Sequence, residues 1–157
     1  MDVTESYVQA LKRQKKFLEN NPGDVDIQWQ QKYVQSILSS SYNAICGLFV
    51  NSELIGTSGI QNIRPNEIPS FGIFVLDERS RSKGYGKTLC WATFYILNRC
   101  FNITCITAGI EKTNIASLKM VLPLGFKIID EDEKGFKIKL NIEDLIKPIF
   151  IDKVFIE

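Results

Sequence analysis

The chain has 157 residues, 45% of them hydrophobic, and carries 19 Lys and Arg against 18 Asp and Glu, a formal charge of +1. That length and apolar content suit one domain with its own core, and so small a charge argues against a nucleic-acid partner, which selects a basic excess. Histidine is absent, which removes His triads, His general bases and most zinc hydrolase sites. Proton transfer then falls to Glu, Asp, Tyr, Ser, Lys or water, and no metal is expected. The apolar runs are too short or too interrupted to span a bilayer, and Met1 to Glu5 lack the basic and apolar regions of a secretory leader. A cytoplasmic protein without membrane contact is the expectation. Cys46, Cys90, Cys100 and Cys105 lack metal-site spacing and read as buried free thiols in a reducing compartment.

Taken along the chain, Tyr7 to Leu18 carries a helical stripe of Tyr7, Val8, Leu11, Lys15 and Leu18, which the cluster Asn20 to Asp24 ends. A second helix is expected from Asp26 to about Ser40, with Ile27, Tyr33, Val34, Ile37 and Leu38 at helical spacing. From Tyr42 the pattern is that of strands. Ala44 to Val50 and Leu54 to Ile60 form a hairpin around Asn51-Ser52-Glu53, and Ser70 to Leu76 follows a loop through Arg64 to Glu67. A helix from about Lys87 to Cys100 comes next, then a β-branched strand Ile103 to Ile110, then a helix from Asn114 to Leu122 stopped by Pro123 and Gly125. Phe126 to Ile129 and Gly135 to Leu140 close the pattern as a hairpin across an acidic turn, Asp130 to Lys134, and the last residues add an edge element. The order αα-ββ-β-α-β-α-ββ implies a mixed sheet with helices packed on it.

The chemistry concentrates in Arg81-Ser82-Lys83-Gly84-Tyr85-Gly86-Lys87. Two glycines between a strand and a helix let the backbone approach a ligand closely and leave the first N–H groups of the helix free. With the helix dipole and Arg79, Arg81, Lys83 and Lys87, they form a site for a phosphate or pyrophosphate. A nucleotide P-loop requires glycine where Arg81 stands, and a dinucleotide fingerprint requires glycine at Leu89. The segment alone also fits an ordinary glycine turn with solvated basic residues.

Arg81-x-x-Gly84-x-Gly86, after an extended Phe71 to Leu76, resembles the acetyl-CoA signature of the GNAT superfamily of N-acetyltransferases. Asn114-x-x-Ser117 with Leu124-Gly125-Phe126 is similar to a second motif of that family. The resemblance covers residues 42 to 140, and Ser117 with its helix resembles the subgroup of ribosomal-protein-alanine and nucleotide-sugar N-acetyltransferases. It implies an α/β (α+β) fold whose mixed, mostly antiparallel twisted sheet carries helices on both faces. It also implies a single domain over 1–157, with a helical acceptor-side region at 1–41, a cofactor-binding core at 42–140 and an edge element at 141–157.

By the same resemblance, the backbone of Phe74, Val75 and Leu76 holds the pantetheine arm of acetyl-CoA, the co-substrate. Arg81, Ser82, Lys83, Gly84, Tyr85, Gly86 and Lys87 hold its pyrophosphate, and Asn114 contacts it near the pantetheine. Many relatives carry a Tyr proton donor seven residues after this Asn, where Val121 stands here. Ser117 is the next candidate acid, and Glu67 and Glu111 are candidate bases, each of which is also an ordinary loop carboxylate. The expected acceptor is a small-molecule primary amine, an amino sugar on a nucleotide among them. A peptide N-terminus is the alternative acceptor, and a non-catalytic acyl-CoA-binding module the alternative function. The unpaired edges of the terminal hairpin suit pairing with a second copy of the chain.

Overall fold

Asp26 opens a helix by a local interaction: its backbone is extended and its carboxylate accepts the Trp29 N–H at 2.6 Å, the arrangement that satisfies an orphan donor at a helix start. This helix, α1 (Ile27–Leu38), buries Gln30, Val34 and Ile37 along one stripe. The structure, a computed structural model, describes residues 26–75 and 82–149 with Glu5, Val8, Gln9 and Lys12, and not the side chains of Phe74 and Val75. Of the helix expected over Tyr7 to Leu18, Val8, Gln9 and Lys12 are described and helical; its other residues and the tail after Ile149 lie outside the described residues.

β1 (Ala44–Val50) and β2 (Glu53–Gln61) form the expected hairpin. Asn51 and Ser52 take φ of 50° and 65°, the mirror-image turn that matches the twist of paired strands. β3 (Ser70–Val75), α2 (Tyr85–Phe101), β4 (Cys105–Glu111) and α3 (Ile115–Val121) follow. α3 tightens into a 3-10 turn, Leu122–Leu124, which Gly125 ends with φ of 101°. β5 (Lys127–Glu131), β6 (Gly135–Asn141) and a 3-10 turn Ile142–Asp144 complete the described chain.

The six strands lie in the order β1-β2-β3-β4-β6-β5, antiparallel throughout except between β3 and β4. The mixed, mostly antiparallel sheet is thus as expected. Several boundaries move by one or two residues, β4 starting at Cys105 rather than Ile103 among them, and two of the shifts have a local cause. α2 begins at Tyr85, two residues earlier than the pattern suggests, because Gly84 rather than Gly86 takes the left-handed conformation, with φ of 85°. The closing turn begins at Asp132, since Asp130 and Glu131 pair with Lys137 and Phe136.

α2 packs on one face of the sheet. Cys90, Trp91, Phe94 and Leu97 meet Ile60, Phe71, Ile106, Ile138 and Leu140 there, joined by Val121, Leu124 and Phe126, and each large apolar side chain contributes roughly 1.5–3 kcal/mol by leaving water. One polar contact lies inside: the hydroxyls of Ser58 and Thr93 are 2.7 Å apart and fully buried. Val34 and Ile37 do not belong to this cluster; α1 packs against β1 on the opposite face. All four cysteines are free, but the expectation of burial holds fully only at Cys90: Cys46 and Cys105 are half-buried, and Cys100 is exposed near the end of α2. Burial pushes the thiols of Cys46 and Cys90 up.

Gly135 and Gly59 test this packing from opposite sides. A Cβ on Gly135 would strike the Ile110 carbonyl oxygen and the Glu111 Cα, both backbone atoms, whereas one on Gly59 meets nothing within 4 Å. Gly135→Ala is expected to lower stability by about 2 kcal/mol in urea unfolding, and Gly59→Ala to leave it within about 0.5 kcal/mol. In the closing turn the N–H groups of Lys134 and Gly135 both donate to Asp132 Oδ1 at 2.8 Å, which holds the Asp132 carboxyl below the usual carboxylate range. Because the folded pKa is the lower one, this contribution is present above the ordinary carboxylate range and lost as pH falls through the folded value. An NMR pH titration should find the Asp132 midpoint below that of a model aspartate.

Candidate active site

β3 and β4 are paired at a single position, Ser70 with Thr107. There the Thr107 N–H donates to the Pro69 carbonyl at 2.9 Å, and beyond it the strands part. Since successive residues of a strand turn their N–H and C=O to alternate sides, the Pro69 contact fixes which groups face the gap. They are those of Ile73 and Val75 on β3, and of Gly109 and Glu111 on β4. The backbone of Phe74 faces the other way, toward Thr57 on β2. Ile73 and Gly109 were not singled out from the sequence; only the register, which requires knowing the strand neighbours, reveals them. Leu76 and Arg81 lie outside the described residues.

The chain re-enters at the head of α2. Ser82 has φ of 60° and Gly84 of 85°, and the first intrahelical bond runs from the Thr88 N–H to the Gly84 carbonyl at 3.0 Å, with the Thr88 hydroxyl on the same oxygen at 3.2 Å. The N–H groups of Tyr85, Gly86 and Lys87 precede that first bond and have no helical acceptor. Ser82 and Lys83 are exposed, and Gly84 to Lys87 half-buried. With 17 residues behind it, this terminus offers anions a full helix dipole. Gly86 lies within the first turn, where a Cβ would collide with the Met120 sulfur of α3. The missing side chain therefore lets α3 close on the head of α2.

α3 begins directly after β4. The Asn114 N–H donates to the Glu111 carbonyl at 2.9 Å, and the Asn114 side chain caps the helix by accepting the Ser117 N–H at 3.2 Å. Ser117 is half-buried, and its hydroxyl makes no hydrogen bond among the described residues. Val121 is 4% exposed within the main core, so the position where relatives place a tyrosine is filled by a packing residue.

Glu111, Asn114, Ser117 and the turn Ser82 to Lys87 thus gather at the C-terminal ends of β3 and β4. Glu67 does not join them. It precedes β3, is exposed, and pairs with Arg64 at 3.5 Å. The parallel register puts Glu67 and Glu111 at opposite ends of the strand pair, on the order of 20 Å apart at ~3.3 Å per residue. Glu111 is half-buried, with the Thr113 hydroxyl 3.5 Å from its carboxylate. Among the described residues, no three His, Cys, Asp or Glu side chains are grouped to hold a metal, and no helix is long and apolar enough to cross a membrane.

No curated protein sequence matches the chain, but its fold is shared with solved structures. The N-acetyltransferase PseH of Campylobacter jejuni, in complex with acetyl coenzyme A, superposes with a TM-score of 0.68 at 17% identity over 89% of this chain and 93% of that one. The ribosomal-protein-alanine N-acetyltransferase of Brucella melitensis gives 0.65 at 19% identity, over 90% and 98%. The spermidine N-acetyltransferase of Vibrio cholerae, in complex with CoA and spermine, gives 0.69 at 11%, over 91% and 87%. The family described as acetyltransferase (GNAT) domain matches residues 2–127. Those residues run from before α1 to the first residue of β5 and include the parted strands and the glycine turn: the chain belongs to the GNAT family of acetyltransferases.

Proposed function

We propose that the chain transfers the acetyl group of acetyl-CoA to a primary amine on a small molecule, an amino sugar carried on a nucleotide. The observation that carries this is the parting of β3 from β4 beyond Ser70 and Thr107, which leads to the free N–H groups at the head of α2. An unpaired strand edge is a template for an extended, amide-bearing chain, and pantetheine is such a chain. It would lie along Ile73 and Val75 with the pyrophosphate at Ser82 to Lys87. That the PseH structure sharing this fold is in complex with acetyl coenzyme A supports the choice of ligand.

The amine lone pair attacks the thioester carbon, a tetrahedral oxyanion forms, the C–S bond breaks and CoA leaves as thiolate. The amine nitrogen gives up one proton and the sulfur takes one, so the products are an amide and the free thiol. A backbone N–H facing the gap stabilises the oxyanion. Ser117, whose hydroxyl has no described partner, supplies the proton to sulfur, and Glu111, at the same end of β4, accepts the amine proton directly or through water. Glu67 is too far from Glu111 to share this step.

Calorimetry should show micromolar binding of acetyl-CoA to wild type and none to a folded Gly84→Asp variant, whose side chain brings bulk and negative charge to the phosphate turn; absence of binding to wild type ends this reading. Glu111→Gln is expected to lower kcat by about a hundredfold and Glu67→Gln to leave it within about twofold, by the distance between them. Binding of acetyl-CoA with no release of free CoA in the presence of any amine offered would favour a binding module over a transferase.

A further inference from the structure

The chain has two methionines, Met1 and Met120. Met120 lies on α3, half-buried and packed against the central cluster without belonging to its buried part. Its sulfur is aimed at α2. A Cβ built on Gly86 would collide with the Met120 Sδ, while the Met120 Cγ and Cε would both lie 3.8 Å from it. Two carbons at equal distance behind a far nearer sulfur place the Gly86 side on the axis that bisects the C–S–C angle. That is the side on which a thioether carries its lone pairs. Gly86 belongs to the first turn of α2, where its N–H is among the donors left free for the pyrophosphate. One turn before Met120 on α3 stands Ser117, the proposed proton donor.

A lone pair on sulfur is also where an oxygen atom is added. The sulfur attacks one oxygen of hydrogen peroxide, the O–O bond breaks and water leaves; sulfur is oxidised by two electrons to the sulfoxide, and the peroxide is reduced. The sulfoxide is polar where the thioether was apolar, and its extra oxygen stands on the side already filled by contact with Gly86. A packed contact that gains a heavy atom has to open, so α3 and the head of α2 part. The cysteines have no such reach. Cys100, the exposed thiol, sits fourteen residues past Gly86 on α2, about 21 Å along the axis at 1.5 Å per residue. Cys105 opens β4 at the end away from the gap, and Cys90 is buried.

Resting on the acetyl-CoA reading above, we propose that Met120 is a modification site: oxidation of its sulfur by a peroxide separates α3 from the phosphate turn and lowers acetyl-CoA affinity, and reduction of the sulfoxide restores it. The residue touches neither substrate nor cofactor. It acts through Gly86, whose missing side chain is what lets the sulfur come so close.

The test treats the full chain with hydrogen peroxide and then with dithiothreitol, which returns disulfides and sulfenic acids to thiols and leaves methionine sulfoxide in place. Peptide mass spectrometry locates the added oxygen, and calorimetry measures acetyl-CoA binding before and after. Expected results are one oxygen on the peptide that holds Met120, a Kd raised about tenfold, an unchanged circular dichroism spectrum, and the untreated Kd again after methionine sulfoxide reductase. Met120→Leu keeps the bulk without the sulfur and is expected to bind acetyl-CoA alike before and after peroxide. A Met120 sulfoxide that leaves Kd within about twofold, oxygen on Met1 alone, loss of the fold on oxidation, or an equal loss of affinity in Met120→Leu overturns the proposal and leaves the acetyl-CoA reading standing. Failure of untreated wild type to bind acetyl-CoA removes both. Should Met120→Leu fail to fold, the reductase decides: affinity that stays low once the sulfoxide is gone overturns the proposal.

Discussion

Backbone hydrogen bonding sets the constraint on which this molecule depends. Every N–H and C=O buried in a sheet needs a partner, and all six strands take part in antiparallel ladders, β1 with β2, β2 with β3, β4 with β6 and β5 with β6. β3 and β4 alone meet in parallel and hold one pairing, Ser70 with Thr107. The sheet remains one body because α2 spans the two halves on the core side, where Phe94 and Leu97 pack with residues of β2, β3, β4 and β6. Strand pairing is thus given up in the centre of the sheet while side-chain packing behind it is kept, and the unpaired groups become available to a ligand.

The same division explains the placement of the polar side chains. On the core side the buried hydroxyls satisfy each other, as Ser58 and Thr93 do, and a contact of this kind tolerates no ligand. On the α1 side Thr57 and Gln30 are equally buried but without described partners. The ion pairs, such as Lys112 with Glu131 at 2.9 Å and Lys127 with Asp144 at 2.8 Å, lie on the exposed rim, where each contributes at most about 1 kcal/mol.

Much of this was legible from residue order. The glycine turn, the strands at 44–50 and 70–75, and the Asn114 cap each follow from local chemistry, and they appear where spacing puts them. The start of α2 did not, because either of two glycines could take the left-handed conformation, and it is Gly84 that does. Nor did sequence separate Glu67 from Glu111. Both are loop-side carboxylates beside strands, and only the parallel register sends them to opposite ends.

The contact between Gly86 and Met120 has a consequence for how this chain can change. The Met120 sulfur fills the space that any side chain at position 86 would claim, so the two sites cannot vary independently: a larger residue at 86 requires a smaller or re-aimed one at 120. Coupling of that kind between touching residues is the ordinary source of non-additivity. Here it joins the helix that follows β4 to the turn at the head of α2, and a relative that has lost the glycine should carry its compensation at the methionine.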